Sequence, residues 1–196
     1  MSTLARQTPK PMTIAEFDAF VENQLEALDY ELVEGEVVLM TNPNRRHEVI
    51  VSNIGAPLKP AMDRRGCRAY QGGMRVQLDA RSNNIDKVKP DIVVQCGKND
   101  RAGDLLHYIT DPIVIVEVLS PSTMDVDRGA KLDFYKLMRT VMHIAIVYQD
   151  QLRIEHYRRQ PEGWVCDVLT HASDTLHFEM VEFRLPVSEA YFDIEF

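Results

Sequence analysis

Two carboxylates stand out because each lies where a predicted buried strand meets a loop. Glu117 interrupts segment 113–119 (IVIVEVL), which is otherwise entirely apolar. Asp91 follows a proline and opens the short apolar strand 92–94 (IVV). A carboxylate in a buried strand is costly to desolvate unless it is paired, protonated or bound to a metal. These two residues are therefore the first candidates for chemistry.

If the two strands are neighbours, Asp91 and Glu117 can share one hard divalent cation. Mg²⁺ is usually held by one or two carboxylates together with water and substrate phosphate. Such an ion polarises a phosphodiester and lowers the pKa of its bound water. A positive side chain would then stabilise the negative charge that develops during hydrolysis. Lys131, two turns into the helix after the Glu117 strand, is the leading choice; Lys136 and Lys89 are weaker ones.

Both features also have simpler explanations. Glu117 can be half-exposed, or it can form a salt bridge with Lys131 without any metal. Lys131 can pair with Asp127 four residues earlier in the helix, a contact that contributes about 0.2–0.5 kcal/mol. Pro-Asp dipeptides are common, and a glutamate in a strand is not rare. The residue pattern alone leaves a metal site and a plain buried ion pair both open.

Hydrophobic periodicity and turn residues predict a single mixed α/β domain over residues 12–196, after a mobile lead-in at 1–11. The predicted elements are helices at 14–25, 45–63 and 124–138, a hairpin at 30–40, a polar loop at 97–111, and strands at 67–78, 92–94, 113–119, 143–148, 152–158, 163–169 and 177–185. Pro57 and Pro60 predict a kink or an early end in the second helix. The strand–helix–strand unit at 113–148 predicts a parallel strand pair.

Composition excludes some classes of protein and limits others. No apolar run reaches the roughly 18–20 residues of a membrane helix, and the N-terminus lacks the apolar core of a secretory signal, so we expect a cytoplasmic protein. With a net charge of −8, a surface that binds nucleic acid must be locally basic, have low affinity, or be assisted by a bound metal. Cys67, Cys96 and Cys166 are far apart and form no CxxC pair. This spacing argues against a disulfide framework and a cysteine zinc site, and predicts small buried or half-buried thiols.

The segments around these residues resemble a known family. The motifs are KPDIVV at 89–94, VEVLSPST at 116–123, and then Asp127, Lys131 and Tyr135. Together they resemble the Uma-type family of restriction-endonuclease-like proteins, in the PD-(D/E)XK superfamily. The segment YELVEGE at 30–36 and His47 at the start of the next helix add to this likeness, which extends from about residue 12 to the end.

The resemblance implies an α/β fold with a restriction-endonuclease-like core of helix, three strands, helix and strand, plus an N-terminal helix and hairpin and C-terminal antiparallel strands. It implies a Mg²⁺- or Mn²⁺-dependent endonuclease acting on DNA, with Asp91 and Glu117 as metal ligands and the carbonyl of Val118 as a further one. The superfamily's usual lysine lies two residues after the acid. Leu119 occupies that position here, so the resemblance moves the role to Lys131.

The superfamily often adds an acid from its first core helix. Glu48 matches that position, and His47 competes with it. Two other functions stay open: a catalytically inactive nuclease-fold module that binds nucleic acid or protein, and a structural oligomerisation domain in which Glu117 forms a plain salt bridge. The apolar C-terminus, YFDIEF at 191–196, predicts docking on the core or on a second copy and favours a homodimer.

Overall fold

The computed structural model describes residues 10–24, 28–40, 42–78, 86–97, 107–121 and 124–196. Most of the predicted lead-in at 1–11, and most of the polar loop predicted at 97–111, lie outside the described residues. The elements in chain order are α1 (Ile14–Glu22), β1 (Tyr30–Val33), β2 (Glu36–Leu39), α2 (Arg45–Asp63), β3 (Cys67–Gln71), β4 (Arg75–Gln77), β5 (Lys87–Val88), β6 (Ile92–Cys96), β7 (Tyr108–Ile109), β8 (Pro112–Leu119), α3 (Met124–Val126), a π-helical turn (Asp127–Lys131), α4 (Leu132–Leu137), β9 (His143–Tyr148), β10 (Ile154–Gln160), β11 (Gly163–Leu169), β12 (Thr175–Phe178), a 3-10 turn (Glu179–Val181), β13 (Phe183–Pro186) and α5 (Val187–Ala190).

A six-stranded sheet forms the centre, in the order β11-β10-β9-β8-β6-β3. Strands β3, β6 and β8 pair antiparallel, and β9 then pairs parallel to β8 after the α3–α4 crossover. The strands β10 and β11 extend the sheet antiparallel. With α2 preceding β3, the core order is helix, three strands, helix and strand. The predicted fold class and the predicted parallel pair are confirmed.

The two faces of this sheet bury different partners. Ile50, Ile54 and Leu58 of α2 pack against one face, in the same cluster as Val116 and Val118 of β8. The opposite face packs against α4 and the N-terminal hairpin, and Ile115 and Leu119 belong to that cluster. Because side chains alternate along a strand, Glu117 shares the second face with Ile115 and Leu119. The strand therefore points Glu117 at the α3–α4 helical segment.

A second sheet, in the order β2-β1-β5-β4-β7, carries the N-terminal hairpin. The hairpin prediction is confirmed, with Gly35 at φ +78 in its turn. The prediction of one strand over 67–78 is wrong, because Gly72 and Gly73 adopt φ of +59 and +76 and turn the chain where other residues would be strained. As a result β3 stays in the central sheet and β4 joins the second one.

The helix predicted at 45–63 is confirmed as α2, and it does not end early at its prolines. Pro57 and Pro60 lie on its exposed side, where water can bond the carbonyls that lose their partners. The single strand predicted at 177–185 is a hairpin, β12 and β13, that reverses at a 3-10 turn.

The cysteine prediction is wrong as well. Cys67 and Cys96 lie directly opposite each other in the antiparallel β3–β6 pair and form a disulfide. Cys166 is an exposed thiol. The two cysteines have a sequence separation of 29, so only strand register makes them neighbours.

The C-terminal segment docks on its own chain. The Tyr191 hydroxyl is buried and donates to the carbonyls of Tyr148 and Arg153. Phe192 and Phe196 stay 72% and 58% exposed. No second copy is described, so the homodimer stays a prediction. Within the described residues, no helix has the length and apolar character needed to cross a membrane.

Candidate metal centre

A cleft of about 190 Å³ lies where β6 and β8 meet the start of α2 and the π-helical turn. The structure brings most of the residues singled out from the sequence to this one cleft: Asp91, Glu117, Val118, Lys131, His47, Glu48 and Lys89. Lys136 does not line the cleft, and its ammonium lies over the Tyr157 ring instead. The cleft residues come from four separate parts of the chain. The fold, and not local sequence, therefore assembles the site.

Asp91 and Glu117 are joined across the β6–β8 pair. Ile92 of β6 is opposite Val116 of β8, so the residue preceding β6 meets the end of β8. The backbone N–H of Val118 donates to Asp91 Oδ2 at 2.7 Å, and the N–H of Asp91 makes a long contact of 3.4 Å with Glu117 Oε2. The Asp91 side chain is 23% exposed and that of Glu117 only 3%. One carboxylate is thus open to the cleft, and the other forms its floor.

The helical segment after β8 supplies the partners of Glu117. Lys131 Nζ lies 2.8 Å from Glu117 Oε1, and the Tyr135 hydroxyl donates to the same oxygen at 2.5 Å. Residues four apart lie on one side of a helix, so Lys131 and Tyr135 reach Glu117 together. The second oxygen, Oε2, is left facing Asp91.

Lys131 is surrounded by three carboxylates. Its ammonium is 2.8 Å from Glu117, 3.0 Å from Asp127 and 3.2 Å from Glu31, and its side chain is 1% exposed. The simple pairing of Lys131 with Asp127 is therefore present, but it is one contact of three. The π-helical turn carries Asp127 and Lys131, both of them buried. Such wide turns often occur at functional sites.

Glu31 was not predicted as a site residue. It is fully buried on β1, and its Oε1 accepts from the backbone N–H of Lys89 at 2.6 Å as well as from Lys131. The segment YELV alternates like an ordinary hairpin strand. The neighbouring residues do not distinguish Glu31 from the solvent-facing acid of such a strand. The only signal was that Glu31 lies in segment 30–36, which resembles the family.

The charges in this cluster shift one another's titration. Burial raises the pKa of Glu117 well above its ordinary value; Lys131 opposes this rise, and Asp127, Asp91 and Glu31 add to it. Burial alone would lower the pKa of Lys131, but Glu117 and Glu31 raise it well above its ordinary value. The neighbouring carboxyl groups therefore favour the charged form of Lys131, although the ammonium is buried.

His47 and Glu48 occupy the first turn of α2, which Asn44 caps. His47 Nε2 lies 3.3 Å from Asp91 Oδ2, and its Nδ1 lies 3.5 Å from Glu48 Oε1. Burial would lower the pKa of His47, but the hydrogen bond to Asp91 and its negative charge raise it overall. Glu48 is 61% exposed at the rim. His47, and not Glu48, is the residue that contacts Asp91.

The donor set fits a hard divalent ion of the magnesium type. Among the described residues, no three His, Cys, Asp or Glu side chains form a ready-made metal cluster. Asp91 and Glu117 are instead a pair of oxygen donors, and Mg²⁺ commonly takes one or two carboxylates and completes its shell with water and substrate. Glu117 Oε2, with its long contact of 3.4 Å, is an oxygen available to such an ion.

The core order and the carboxylate pair at adjacent strand ends define the class: a restriction-endonuclease-like α/β domain. A crystal structure from Anabaena variabilis, described as "a putative nuclease belonging to DUF820", superposes with a TM-score of 0.74 at 17% identity. The likeness covers 92% of this chain and 98% of that one. At this level of identity it shows the shared fold.

The family described as "Uma2: Putative restriction endonuclease" matches residues 14–188, and the chain belongs to this family. The family resemblance drawn from the sequence is confirmed. Two uncharacterised proteins of Synechocystis sp. are similar. One is 26% identical over 167 residues, covering 85% of each chain. The other is 24% identical over 176 residues, covering 89% of this chain and 97% of the relative.

Proposed function

We propose that this protein is a Mg²⁺- or Mn²⁺-dependent endonuclease that hydrolyses phosphodiester bonds in DNA. The observation that carries the proposal is the Asp91–Glu117 pair, linked across β6 and β8 and backed by Lys131 at 2.8 Å from Glu117. Membership of the Uma2 family supports the same class of activity.

In this proposal Asp91 and Glu117 hold the ion, and the carbonyl of Val118 is a further ligand. A divalent cation bound there would polarise the phosphodiester and offset its charge. Lys131 keeps a fixed positive charge beside the reacting phosphate, where negative charge grows as the new P–O bond forms and the old one breaks. Tyr135 fixes the orientation of Glu117 through its hydrogen bond.

His47 and Glu48 complete the proposed site at the entrance to the cleft. His47 holds Asp91 in place through its 3.3 Å contact, so it acts on the carboxylate that faces the substrate. Glu48 is the exposed acid from the first core helix, placed to orient water or to bind the ion through water. Lys89, a half-buried cation paired with Asp29 at the same cleft, is placed to meet a neighbouring phosphate.

Cleavage assays with matched variants test this function. Plasmid and oligonucleotide DNA are incubated with Mg²⁺ or Mn²⁺ and the wild type, Asp91→Ala or Glu117→Ala. We expect each variant to lose at least about 100-fold in rate, because a lost metal removes several kcal/mol of charge stabilisation. Lys136→Ala, on the same helical segment but outside the Glu117 contacts, is the control and should cleave like the wild type. Metal-dependent cleavage that persists in both alanine variants would refute the assignment.

One observation favours a second function, an inactive nuclease-fold module that binds nucleic acid or protein. Lys131 already pairs with Glu117 at 2.8 Å, so the buried carboxylate has a partner without any metal. A calorimetric Mn²⁺ titration separates the two functions: a folded protein that binds no ion below millimolar concentration supports the inactive module. We also propose that the protein works in the cytoplasm.

A further inference from the structure

We propose that Lys131 fills the position of a second cation, so that the site takes a single divalent ion and Glu31 and Asp127 serve to hold the ammonium. This inference rests on the proposed function. It assigns roles to two carboxylates that the metal pair leaves unexplained. It also sets the metal stoichiometry at one.

The surroundings of the ammonium are those of a bound cation. Glu117, Asp127 and Glu31 place oxygens 2.8, 3.0 and 3.2 Å from Lys131 Nζ. They come from three separate elements: β8, the π-helical turn and β1. A single ion pair needs one carboxylate, whereas three around one cation, shielded from water, are typical of a site for a hard metal ion.

Hydrogen bonding alone does not account for this cage. Asp127 Oδ1 is buried and forms an ion pair with the ammonium at 3.0 Å, but it accepts no hydrogen bond among the described residues. Glu31 Oε2 is likewise buried without a partner there. Burial of unpaired carboxylate oxygens is costly. These side chains are therefore held by the charge at the centre of the cage.

Glu117 links the cage to the proposed metal position. Its Oε1 contacts Lys131, and its Oε2 lies toward Asp91. In two-metal nuclease sites the ions lie about 3.5–4 Å apart and clamp the attacking and leaving oxygens. Here the Glu117 carboxylate lies between the Lys131 ammonium and Asp91. The ammonium therefore occupies the position that a second ion would take.

The test counts bound ions in the absence of DNA. Equilibrium dialysis or Mn²⁺ electron paramagnetic resonance should give one ion for the wild type and two for Lys131→Ala. Removal of the ammonium frees the three carboxylates, whose oxygens then need to close by roughly 1 Å to reach metal-ligand distances. Lys131→Ala combined with Glu31→Gln should return the count to one. Lys136→Ala, the control lysine, should leave it at one.

Each outcome decides the inference. Two ions in the wild type, or one ion in a folded Lys131→Ala, would overturn it while leaving the nuclease proposal intact. No ion in the wild type would refute both the metal site at Asp91 and the stoichiometry of one. If Lys131→Ala does not fold alone, Mn²⁺ should restore its folding and raise its melting temperature. Failure of Mn²⁺ to do so would also overturn the inference.

Discussion

The hydroxyl of Tyr135 offers a sharp test of whether the buried cluster serves metal binding or stability alone. It donates to Glu117 Oε1 at 2.5 Å inside the core, and Tyr135→Phe removes that one bond without changing the ring. Hydrogen bonds to charged groups contribute about 1.5–3 kcal/mol, so we expect the free energy of unfolding to fall by that amount. Loss of a group that orients a metal ligand typically weakens metal binding about 10–100-fold.

Tyr148→Phe is the matched control. It removes a buried hydroxyl that donates to Glu155 Oε1 at 2.8 Å, and Glu155 also accepts from Arg153 and Tyr157. Urea denaturation and Mn²⁺ calorimetry are measured on both variants. We expect both to lose stability and only Tyr135→Phe to lose Mn²⁺ affinity. A Tyr135→Phe protein that is less stable but binds Mn²⁺ like the wild type would show that the hydroxyl serves structure alone.

Three further results are expected. Because burial raises the pKa of Glu117, its carboxyl group retains its proton to higher pH when no metal is bound. Mn²⁺ binding should therefore release protons and become stronger as pH rises. Calorimetry in buffers of different ionisation enthalpy measures the release, and an affinity that does not change with pH would contradict it. Burial lowers the pKa of both His143 and His156 to about 4, below the value near 6.5 of an unfolded chain. These two histidines should therefore contribute their full share to the free energy of unfolding above about pH 6.5. That contribution should be lost as the pH falls toward 4, by up to about 3 kcal/mol for each histidine. Urea unfolding midpoints measured across this range should fall less steeply in His156→Gln than in the wild type. Finally, the acidic cleft and the net charge of −8 predict that DNA binds weakly to Glu117→Gln, and to the wild type in EDTA. A fluorescence anisotropy titration measures this affinity. Tight binding under either condition would count against metal-assisted recognition.

Much of the core was readable from the sequence because its signals are strong and local. A single glutamate in the apolar segment 113–119 indicates a buried strand with one carboxylate that needs a partner. Lys131 follows two turns into the next helix, which packs back on the sheet. The hairpin predicted at 30–40 is likewise present in the structure, with Gly35 in its turn. Each of these depends on neighbours within a few residues.

The unpredicted features depend on contacts between distant parts of the chain. Glu31 meets Lys131 across 100 residues, and its own strand looks like any half-exposed hairpin strand. Cys67 and Cys96 are paired by register, which residue spacing does not reveal. The π-helical turn at Asp127–Lys131 carries two buried charged residues, and no local pattern in the sequence distinguishes it from a regular α-helix.

The most direct measurement is X-ray diffraction at the manganese edge from crystals soaked in Mn²⁺. The proposal predicts one anomalous peak between Asp91 and Glu117, within about 2.2 Å of an oxygen of each, and its loss in Glu117→Ala crystals. Manganese bound only elsewhere, or no peak at Mn²⁺ concentrations that support cleavage, would contradict the assignment of this carboxylate pair as the metal centre.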